Sequence, residues 1–391
     1  MNNNAPDFPL MGAICLIAMC QSFIALLMGV DTPLAIVKMG ANPVVLGLAY
    51  SAWAIGRAGT GIVAGYWFDK GGAKAGLLVS FSLLAAVAFG YGLLWGPWSM
   101  VVLRLLQGAS AGIYWTSALA LTGYHIPPTR RARRMALFNV CVAIGGMGGS
   151  LAGGWMVATE GFRPPFWVAT ILAMMTGGAV IVLLPRWHRI SADPIPVSRR
   201  TPKLWPISIV GGLSQLPSFL SNAALPLELL RFHLGARALG TENAILVLGN
   251  LIGQWSIFRH PTAIYRRLPI MALYGLGIVG VLGTIQASRG WIMMGFLAIV
   301  GTMVNLYSVV WTAAVQQQDN ANETGRATGI LRTTSDTMSA ASYPLIGWAW
   351  EDPAMTGIVT AGILAVGMCY VACFYRGATL SNSVPHEMSP R

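Results

Sequence analysis

The chain has 391 residues, of which 55% are apolar and only 10% are charged, and its mean hydropathy is +0.62. Soluble globular domains carry about 25% charged residues, so the composition excludes a soluble domain and predicts a protein that crosses a membrane repeatedly. The net charge of +12 comes from basic residues scattered among short loops, with no basic stripe bearing interleaved aromatic residues, and we expect no nucleic-acid partner.

Apolar runs of about 20 residues, rather than alternating runs of about ten, predict membrane-spanning helices. The predicted helices of the first half lie at about 10–30, 43–66, 75–95, 98–124, 135–158 and 164–184. Those of the second half lie at about 206–227, 238–257, 268–287, 290–315, 326–349 and 354–376. The chain is thus predicted to be an all-α integral membrane protein with about twelve transmembrane helices.

The longest polar stretch, rich in Pro, Arg and Ser, divides the helices into six and six. The predicted organisation is an N-terminal six-helix bundle, a cytoplasmic linker, a C-terminal six-helix bundle and a polar cytoplasmic tail, at 1–185, 186–205, 206–376 and 377–391. A faint repeat at an offset of 192–193 residues supports two matched halves. It pairs Arg134 with Arg326, Gly108 with Gly301, Tyr114 with Tyr307, and Gly154-Trp155 with Gly347-Trp348.

The basic residues also predict the orientation of the chain in its membrane. Seventeen of the 25 Lys and Arg residues fall on the side of the termini and five on the other side. Positively charged loops are retained in the cytoplasm, so both termini are predicted to be cytoplasmic in a multi-pass protein of the cell (inner) membrane.

The joint between the second and third helices is short and carries glycines and lysines, which predicts a tight turn outside the bilayer. Its pattern, Gly-x-x-x-Asp-Lys-x-Gly-x-Lys, resembles the signature loop of the major facilitator superfamily, although Ala73 stands where that family usually has a basic residue. The resemblance implies the major facilitator fold, two pseudo-symmetric six-helix bundles around a central cavity. The matching residues, which the resemblance implies act in conformational change, are Gly65, Asp69, Lys70, Gly72 and Lys74.

The fourth helix contains Arg104 within Arg-x-x-Gln-Gly-x-x-x-Gly, which resembles the fourth-helix motif of the same family. An arginine inside an apolar helix is unfavourable unless it faces a partner or a wet cavity. The resemblance implies a place for Arg104 in the cavity and in proton coupling; the alternative is an arginine that snorkels from a helix end.

The fifth helix is dense in glycine, which lets two helices approach closely. The pattern at Gly145, Gly149, Gly153 and Gly154 resembles the antiporter motif of the family, with Ser150 in place of the usual proline. That resemblance implies an exporter and a role for these glycines in conformational change. The alternative is ordinary packing of small residues.

Carboxyl groups in a bilayer can carry protons, because low dielectric favours the neutral form. Asp31, near the predicted end of the first helix, resembles loosely the helix-end motif of drug–proton antiporters, and is the first candidate for proton coupling; a carboxylate in water is the alternative. Asp336 is the second candidate, or else the i,i+4 partner of Arg332. Arg57 is expected to meet Asp31 or Asp336 across the bundle, or to bind an anionic substrate.

Polar and aromatic residues on helices 1, 4, 7 and 10 are the substrate-binding candidates, because the family resemblance implies that these helices line the cavity. With Arg57 of the second helix they are Gln21, Arg57, Tyr114, Trp115, Gln215, Asn222, Asn305, Tyr307 and Trp311.

The chain has no nucleotide-binding loop and no His-Glu-x-x-His, so we expect neither an enzyme nor a cofactor. The favoured hypothesis is a monomeric, proton-coupled antiporter that exports a small amphipathic organic molecule. The alternatives are a proton symporter that imports an organic anion, a copper transporter, and a membrane sensor or assembly factor on the same fold. Scattered methionines without a tight cluster argue against the copper hypothesis, and no metal ligands are proposed.

Overall fold

A computed structural model describes residues 7–71, 73–93, 95–123, 128–184, 209–213, 235–259, 267–318, 333–343 and 353–374. The described residues form twelve helical segments and no strand. They are α1 (Asp7–Lys38), α2 (Pro43–Gly71), α3 (Ala73–Leu93), α4 (Pro97–Gly123), α5 (Pro128–Glu160), α6 (Arg163–Leu183), α7 (209–213), α8 (Ala236–Arg259), α9 (Arg267–Gln286), α10 (Gly290–Gln318), α11 (333–343) and α12 (Pro353–Phe374). Of the described helices, α1, α3, α5, α6 and α9 are long and apolar enough to cross a bilayer by length and composition.

Most helix ends lie within a few residues of the predicted ones, but α1 does not. It continues through Asp31 and Pro33 to Lys38 instead of ending near residue 30. A proline inside a membrane helix removes one backbone hydrogen bond, here the one that the carbonyl of Gly29 would accept, and packed neighbours make such a gap tolerable. The interpretation of Asp31 as a helix-end residue in water is therefore wrong.

Two predicted loops are also helical. α2 extends through Asp69 and Lys70 to Gly71, so the turn to α3 is confined to the residues around position 72. α5 begins at Pro128 and includes the basic stretch 130–134, which was expected to be a loop. Proline is favoured in the first turn of a helix, where its missing N–H has no intrahelical partner to lose. The predicted linker and tail lie outside the described residues.

The turn between α1 and α2 shows local control by sequence. Gly40 takes a positive φ of 79°, a conformation in which a side chain would be strained, and this ends α1. The side chain of Asn42 then accepts a hydrogen bond from the backbone N–H of Val45 at 3.0 Å, capping the start of α2.

The two halves repeat the same close helix packing. A Cβ atom added at Gly56 or Gly108 would collide with the backbone of the facing helix, so α2 and α4 are in backbone contact. The equivalent residues 193 positions further along, Gly249 and Gly301, make the same contacts between α8 and α10. The Gly108–Gly301 match in the sequence repeat therefore reflects equivalent packing, as expected for pseudo-symmetric bundles.

Among the described residues, the halves meet through three pairs of helices. Gly154 on α5 lies against the backbone of Ala236 and Gly240 on α8. Val30 on α1 packs in an apolar cluster with Leu239 on α8. On the other side of the bundle, α2 contacts α11, as described below. The α5–α8 and α1–α8 contacts lie toward the end of the molecule where α1 ends and α2 and α8 begin, and this end is called the closed end. The α2–α11 contact extends from this end to the middle of α2.

Candidate substrate cavity

A cavity of about 430 Å³ lies between the two halves. This volume is within the range of about 300–1,000 Å³ that is usual for small-molecule sites. Side chains of α1, α2, α4 and α5 form one wall, and side chains of α8 and α11 form the other. The lining combines amides with aromatic rings, and its polar and aromatic members include Gln21, Ser22, Tyr50, Trp53, Arg104, Gln107, Trp115, Asn139, Asn243, Asn250, Gln254 and Tyr343.

The cavity extends away from the closed end. Leu239, near the start of α8, lies at its closed end and also packs on α1. Gln254, near the other end of α8, and Asn139 on α5 line its far part. The closed end therefore separates the cavity from one side of the membrane in this conformation.

Arg104 lies on the cavity wall within α4, and only 5% of it is exposed. Its Nη1 donates a hydrogen bond to Oε1 of Gln107 at 3.2 Å, and its guanidinium lies 5.1 Å from the ring centre of Tyr50. Its Nε has no hydrogen-bond partner among the described residues. Arg104 thus faces the cavity, as the sequence indicated, and does not snorkel from a helix end.

Arg57 and Asp336 form an ion pair between the halves. The Nε of Arg57 donates to Oδ2 of Asp336 at 3.0 Å, and its Nη2 donates to Oδ1. The guanidinium also lies 4.4 Å from the ring centre of Trp53. Of the partners considered for Arg57, the structure shows Asp336. Arg332, the i,i+4 partner considered for Asp336, lies outside the described residues.

Two more contacts join the same helices nearer to the closed end. Ser51 donates a hydrogen bond to the carbonyl oxygen of Ala340 at 2.8 Å, and the rings of Tyr50 and Tyr343 lie 5.3 Å apart. Together with the Arg57–Asp336 pair they form the α2–α11 contact, which is the pseudo-symmetric counterpart of the α5–α8 contact.

Asp31 is fully buried in α1, two residues beyond Gly29 of the cavity wall. Neither of its carboxylate oxygens has a hydrogen-bond partner within the part of the chain that the structure describes. Its neighbour Val30 lies in the cluster that closes the cavity. A carboxyl group in such surroundings is poorly accommodated when ionised, because nothing nearby compensates its lost hydration.

The structure divides the other substrate-binding candidates. Gln21 and Trp115 line the cavity. Tyr114 and Tyr307, both 1% exposed, lie in the apolar cores of the two halves instead of along the cavity. The side chains of four further candidates lie outside the described residues, namely Gln215, Asn222, Asn305 and Trp311.

The structure describes the surroundings of some of the residues that were predicted to act in conformational change. Gly145 and Gly149 lie against the backbone of α1 at Met19 and Phe23, and Gly153 does the same at Leu27, so this row of α5 packs within the first half. Gly154 faces the other half. Lys74 donates hydrogen bonds to carbonyl oxygens of Ile181 and Leu184 at the end of α6. Gly72 and the side chains of Asp69 and Lys70 lie outside the described residues, as do the surroundings of Gly65.

Several cavity residues were missed by the sequence analysis. Asn243, Asn250 and Gln254 occupy one face of α8 with Leu239 and Val247, at intervals of three and four residues. This helical spacing of amides in an apolar span was visible in the sequence. Glu242, fully buried on the same helix, was also not considered.

Two matched helical bundles with a polar cavity between them are the architecture of secondary transporters. The chain belongs to the Major Facilitator Superfamily, whose family model matches residues 10–344.

The fold is also that of solved members. A bacterial homologue of the human lysosomal transporter Spinster, in an inward-facing and occupied conformation, matches with a TM-score of 0.74 and 14% identity, over 93% of this chain and 95% of that one. The same homologue in an unoccupied conformation matches with a TM-score of 0.69 and 12% identity, over 94% and 97%.

The matches to curated relatives cover shorter parts of the chain. A gallate transporter of Pseudomonas putida is 27% identical over 186 residues, which is 47% of this chain and 41% of the relative. A multidrug transporter of the superfamily from Aspergillus fumigatus is 26% identical over 95 residues, 24% of this chain and 18% of the relative. The chain spans less than half the length of these curated relatives.

Proposed function

We propose that the protein is a proton-coupled secondary transporter that carries a small amphipathic organic molecule by alternating access. The observation that carries this proposal is the cavity between the halves, which mixes amides, aromatic rings and one arginine among the described residues and is closed where α1 ends and α8 begins. A cavity of this chemistry suits a molecule with both apolar and polar parts. The names of the two curated relatives, a gallate and a multidrug transporter, also support a small organic substrate.

Asp31 is the proposed proton carrier. It is buried without a hydrogen-bond partner among the described residues, and it lies beside the cluster that closes the cavity. Burial of this kind favours the protonated form, whereas opening of the closed end would admit water and favour release of the proton. Proton transfer at Asp31 is thereby linked to the conformational change. Asp336, held by Arg57, is the second candidate.

Export is the proposed direction, because the glycine pattern of α5 resembles the antiporter motif of the family; the packing of this row against α1 is equally consistent with ordinary packing of small residues. Import of an organic anion is the second candidate, and Arg104 in the cavity wall favours it. Moving one negative charge inward against a potential costs about 2.3 kcal/mol per 100 mV, and a proton carried with it would cancel this cost. The proposed protein is a monomer in the inner membrane with cytoplasmic termini, and this orientation places the closed end on the side of the membrane away from the cytoplasm.

The test is transport by the purified protein in proteoliposomes with an imposed pH gradient and an internal pH-sensitive dye. A panel of varied organic compounds should reveal at least one that moves together with protons, and its direction relative to the proton decides between export and import. Asp31→Asn should abolish accumulation driven by the gradient while exchange of substrate between the two sides continues. Glu160→Gln, at an exposed carboxyl group at the end of α5, is the matched control and should leave coupling unchanged. Normal coupled transport by Asp31→Asn and by Asp336→Asn would contradict the proton assignment, and absence of substrate-linked proton flux would favour a sensor.

A further inference from the structure

The charge on the cavity wall is unbalanced. Among the described residues that line it, Arg104 is the sole charged side chain, and no carboxylate faces it across the cavity. The other intramembrane arginine of the described chain, Arg57, is already neutralised by Asp336. Arg104 donates one hydrogen bond to an amide oxygen, and its Nε, which is itself buried, has no partner among the described residues. A guanidinium that is 95% buried in this state is poorly compensated while the cavity holds only water.

The missing partner can be described by its chemistry. Guanidinium groups bind carboxylates through two parallel N–H···O bonds, and such bonds are shorter and stronger than neutral ones. The Gln107 amide, which already accepts hydrogen bonds from Arg104 and from Tyr91, fixes the guanidinium so that its plane is set before a ligand arrives. A single carboxylate against the guanidinium of Arg104 would neutralise the wall, whereas a dianion would leave one charge without a partner among the described lining residues.

The surroundings of Arg104 specify the body of the ligand. The ring of Tyr50 lies under the guanidinium, and the rings of Trp53, Trp115 and Tyr343 also border the cavity. Flat apolar surfaces of this kind stack on an aromatic ring, and such ring pairs are favourable beyond the area that they bury. The volume of about 430 Å³ suits a ligand of one or two rings.

The opposite wall specifies the far end of the ligand. Asn243, Asn250 and Gln254 present amides from α8, which belongs to the other half of the protein. Amides both donate and accept hydrogen bonds, so they suit hydroxyl substituents. A ligand that spans from Arg104 to these amides touches both halves, and its two polar ends must therefore be separated by the width of the ring.

We propose that the cavity is a site for monoanionic aromatic carboxylates with a hydroxyl group opposite the carboxylate, with Arg104 as the residue that selects the anion and the α8 amides as the residues that select the hydroxyl. This inference rests on the cavity of the proposed function but not on the direction of transport or on proton coupling. It identifies a substrate class and the two sides of the site that distinguish it.

The test is isothermal titration calorimetry of the full-length protein in detergent with four probes: 4-hydroxybenzoate, 4-hydroxybenzamide, benzoate and cyclohexanecarboxylate. The wild-type protein should bind 4-hydroxybenzoate about 10- to 100-fold more tightly than the neutral 4-hydroxybenzamide, because the charged hydrogen bonds are lost. Benzoate and cyclohexanecarboxylate should each bind more weakly than 4-hydroxybenzoate. This comparison needs no variant, so it stands even if a variant fails to fold.

Variants then assign the two sides of the site. Arg104→Gln should remove the preference for the carboxylate over the carboxamide, Arg104→Lys should retain part of it, and Arg163→Gln, at an exposed arginine outside the cavity, should retain all of it. Asn250→Ala should reduce the preference for 4-hydroxybenzoate over benzoate without changing the preference for the anion.

Equal affinity for the carboxylate and the carboxamide, no binding of either, or an unchanged preference in Arg104→Gln would each overturn the inference. Failure of the proposed function is a different result: proteoliposomes would show no flux of any compound although 4-hydroxybenzoate binds with the expected selectivity. If the liposomes transport other compounds and 4-hydroxybenzoate does not bind, the proposed function stands and this inference fails.

Discussion

The Arg57–Asp336 ion pair offers the sharpest test of how the two halves are held together. It joins α2 to α11, and the side chains of Arg57 and Asp336 are only 15% and 4% exposed. Asp336→Asn removes the negative charge with almost no change in shape, and it leaves a guanidinium at the contact between the halves. We predict that this substitution weakens closure of the closed end.

The magnitude follows from the burial of the pair. Loss of one partner of a buried ion pair costs about 3–5 kcal/mol, because the remaining charge is left without compensation. Arg57 is partly exposed and also lies over the ring of Trp53, so the lower end of that range applies. A loss of about 3 kcal/mol corresponds to an increase of about 100-fold in the ratio of open to closed molecules.

The assay is the reaction of a buried reporter cysteine at position 51 with a small water-soluble thiol reagent. Ser51 is 5% exposed and donates to Ala340 on the facing helix, so a cysteine there should react only when this contact opens. The five native cysteines are first replaced, and Ser51→Cys is present in every protein compared, so the loss of its hydrogen bond is common to all. The reaction should be at least 10-fold faster with Asp336→Asn.

The control distinguishes the effect of losing the ion pair from the effect of leaving one buried charge without a partner. The double variant Arg57→Leu, Asp336→Leu removes both charges, and replacing a buried pair by apolar groups is often neutral or stabilising. It should therefore react about as slowly as the parent protein. If Asp336→Asn is no faster than the parent, or if the double variant is as fast as Asp336→Asn, the pair does not hold this end closed.

Two further predictions concern a glycine at the contact between the halves and a pair of tyrosines at equivalent positions of the two halves. Gly154→Ala should shift the protein toward opening of the closed end, because the added methyl group would collide with the backbone of Ala236. Faster modification of the cysteine at position 51 would report this shift. A modification rate equal to that of the parent protein would contradict the prediction. Tyr114→Phe should leave the stability unchanged or raise it, because this buried hydroxyl has no hydrogen-bond partner among the described residues, whereas Tyr307→Phe should lower it by about 1 kcal/mol through loss of the bond to the carbonyl of Leu273 at 2.8 Å. Thermal unfolding in detergent compares these equivalent tyrosines, and equal losses would contradict the assignment.

Much of the fold could be predicted from the sequence because a bilayer leaves few choices. Each backbone polar group must be satisfied internally, so apolar runs of about 20 residues become helices whose number and order are readable. The helix ends that were predicted wrongly involve proline, which can lie inside a membrane helix as well as begin one. α1 was expected to end near residue 30 but continues through Pro33 to Lys38, and Pro128 begins α5 ahead of a basic stretch that was expected to be a loop.

The site was less predictable, because its contacts join residues that are distant in the chain. Arg57 and Asp336 are 279 positions apart, and the nearby Arg332 offered a local partner that was equally reasonable by spacing. Arg104 could be identified because a lone arginine in an apolar run needs a wet or charged neighbour. Tyr114 could not be assigned from type alone, since tyrosine serves both the cavity and the packed core.

The cavity and the closed end share residues, which bears on how a ligand would influence closure. The guanidinium of Arg104 lies 5.1 Å from the centre of the Tyr50 ring, and the same ring lies 5.3 Å from that of Tyr343 on α11. Leu239 likewise lines the cavity and packs against Val30. A ligand bound at Arg104 would therefore contact side chains that hold the halves together, and α2 cannot separate from α11 without rearranging the cavity wall. Because a ligand shifts an equilibrium only through contacts that differ between states, these shared side chains are where binding and closure can be coupled.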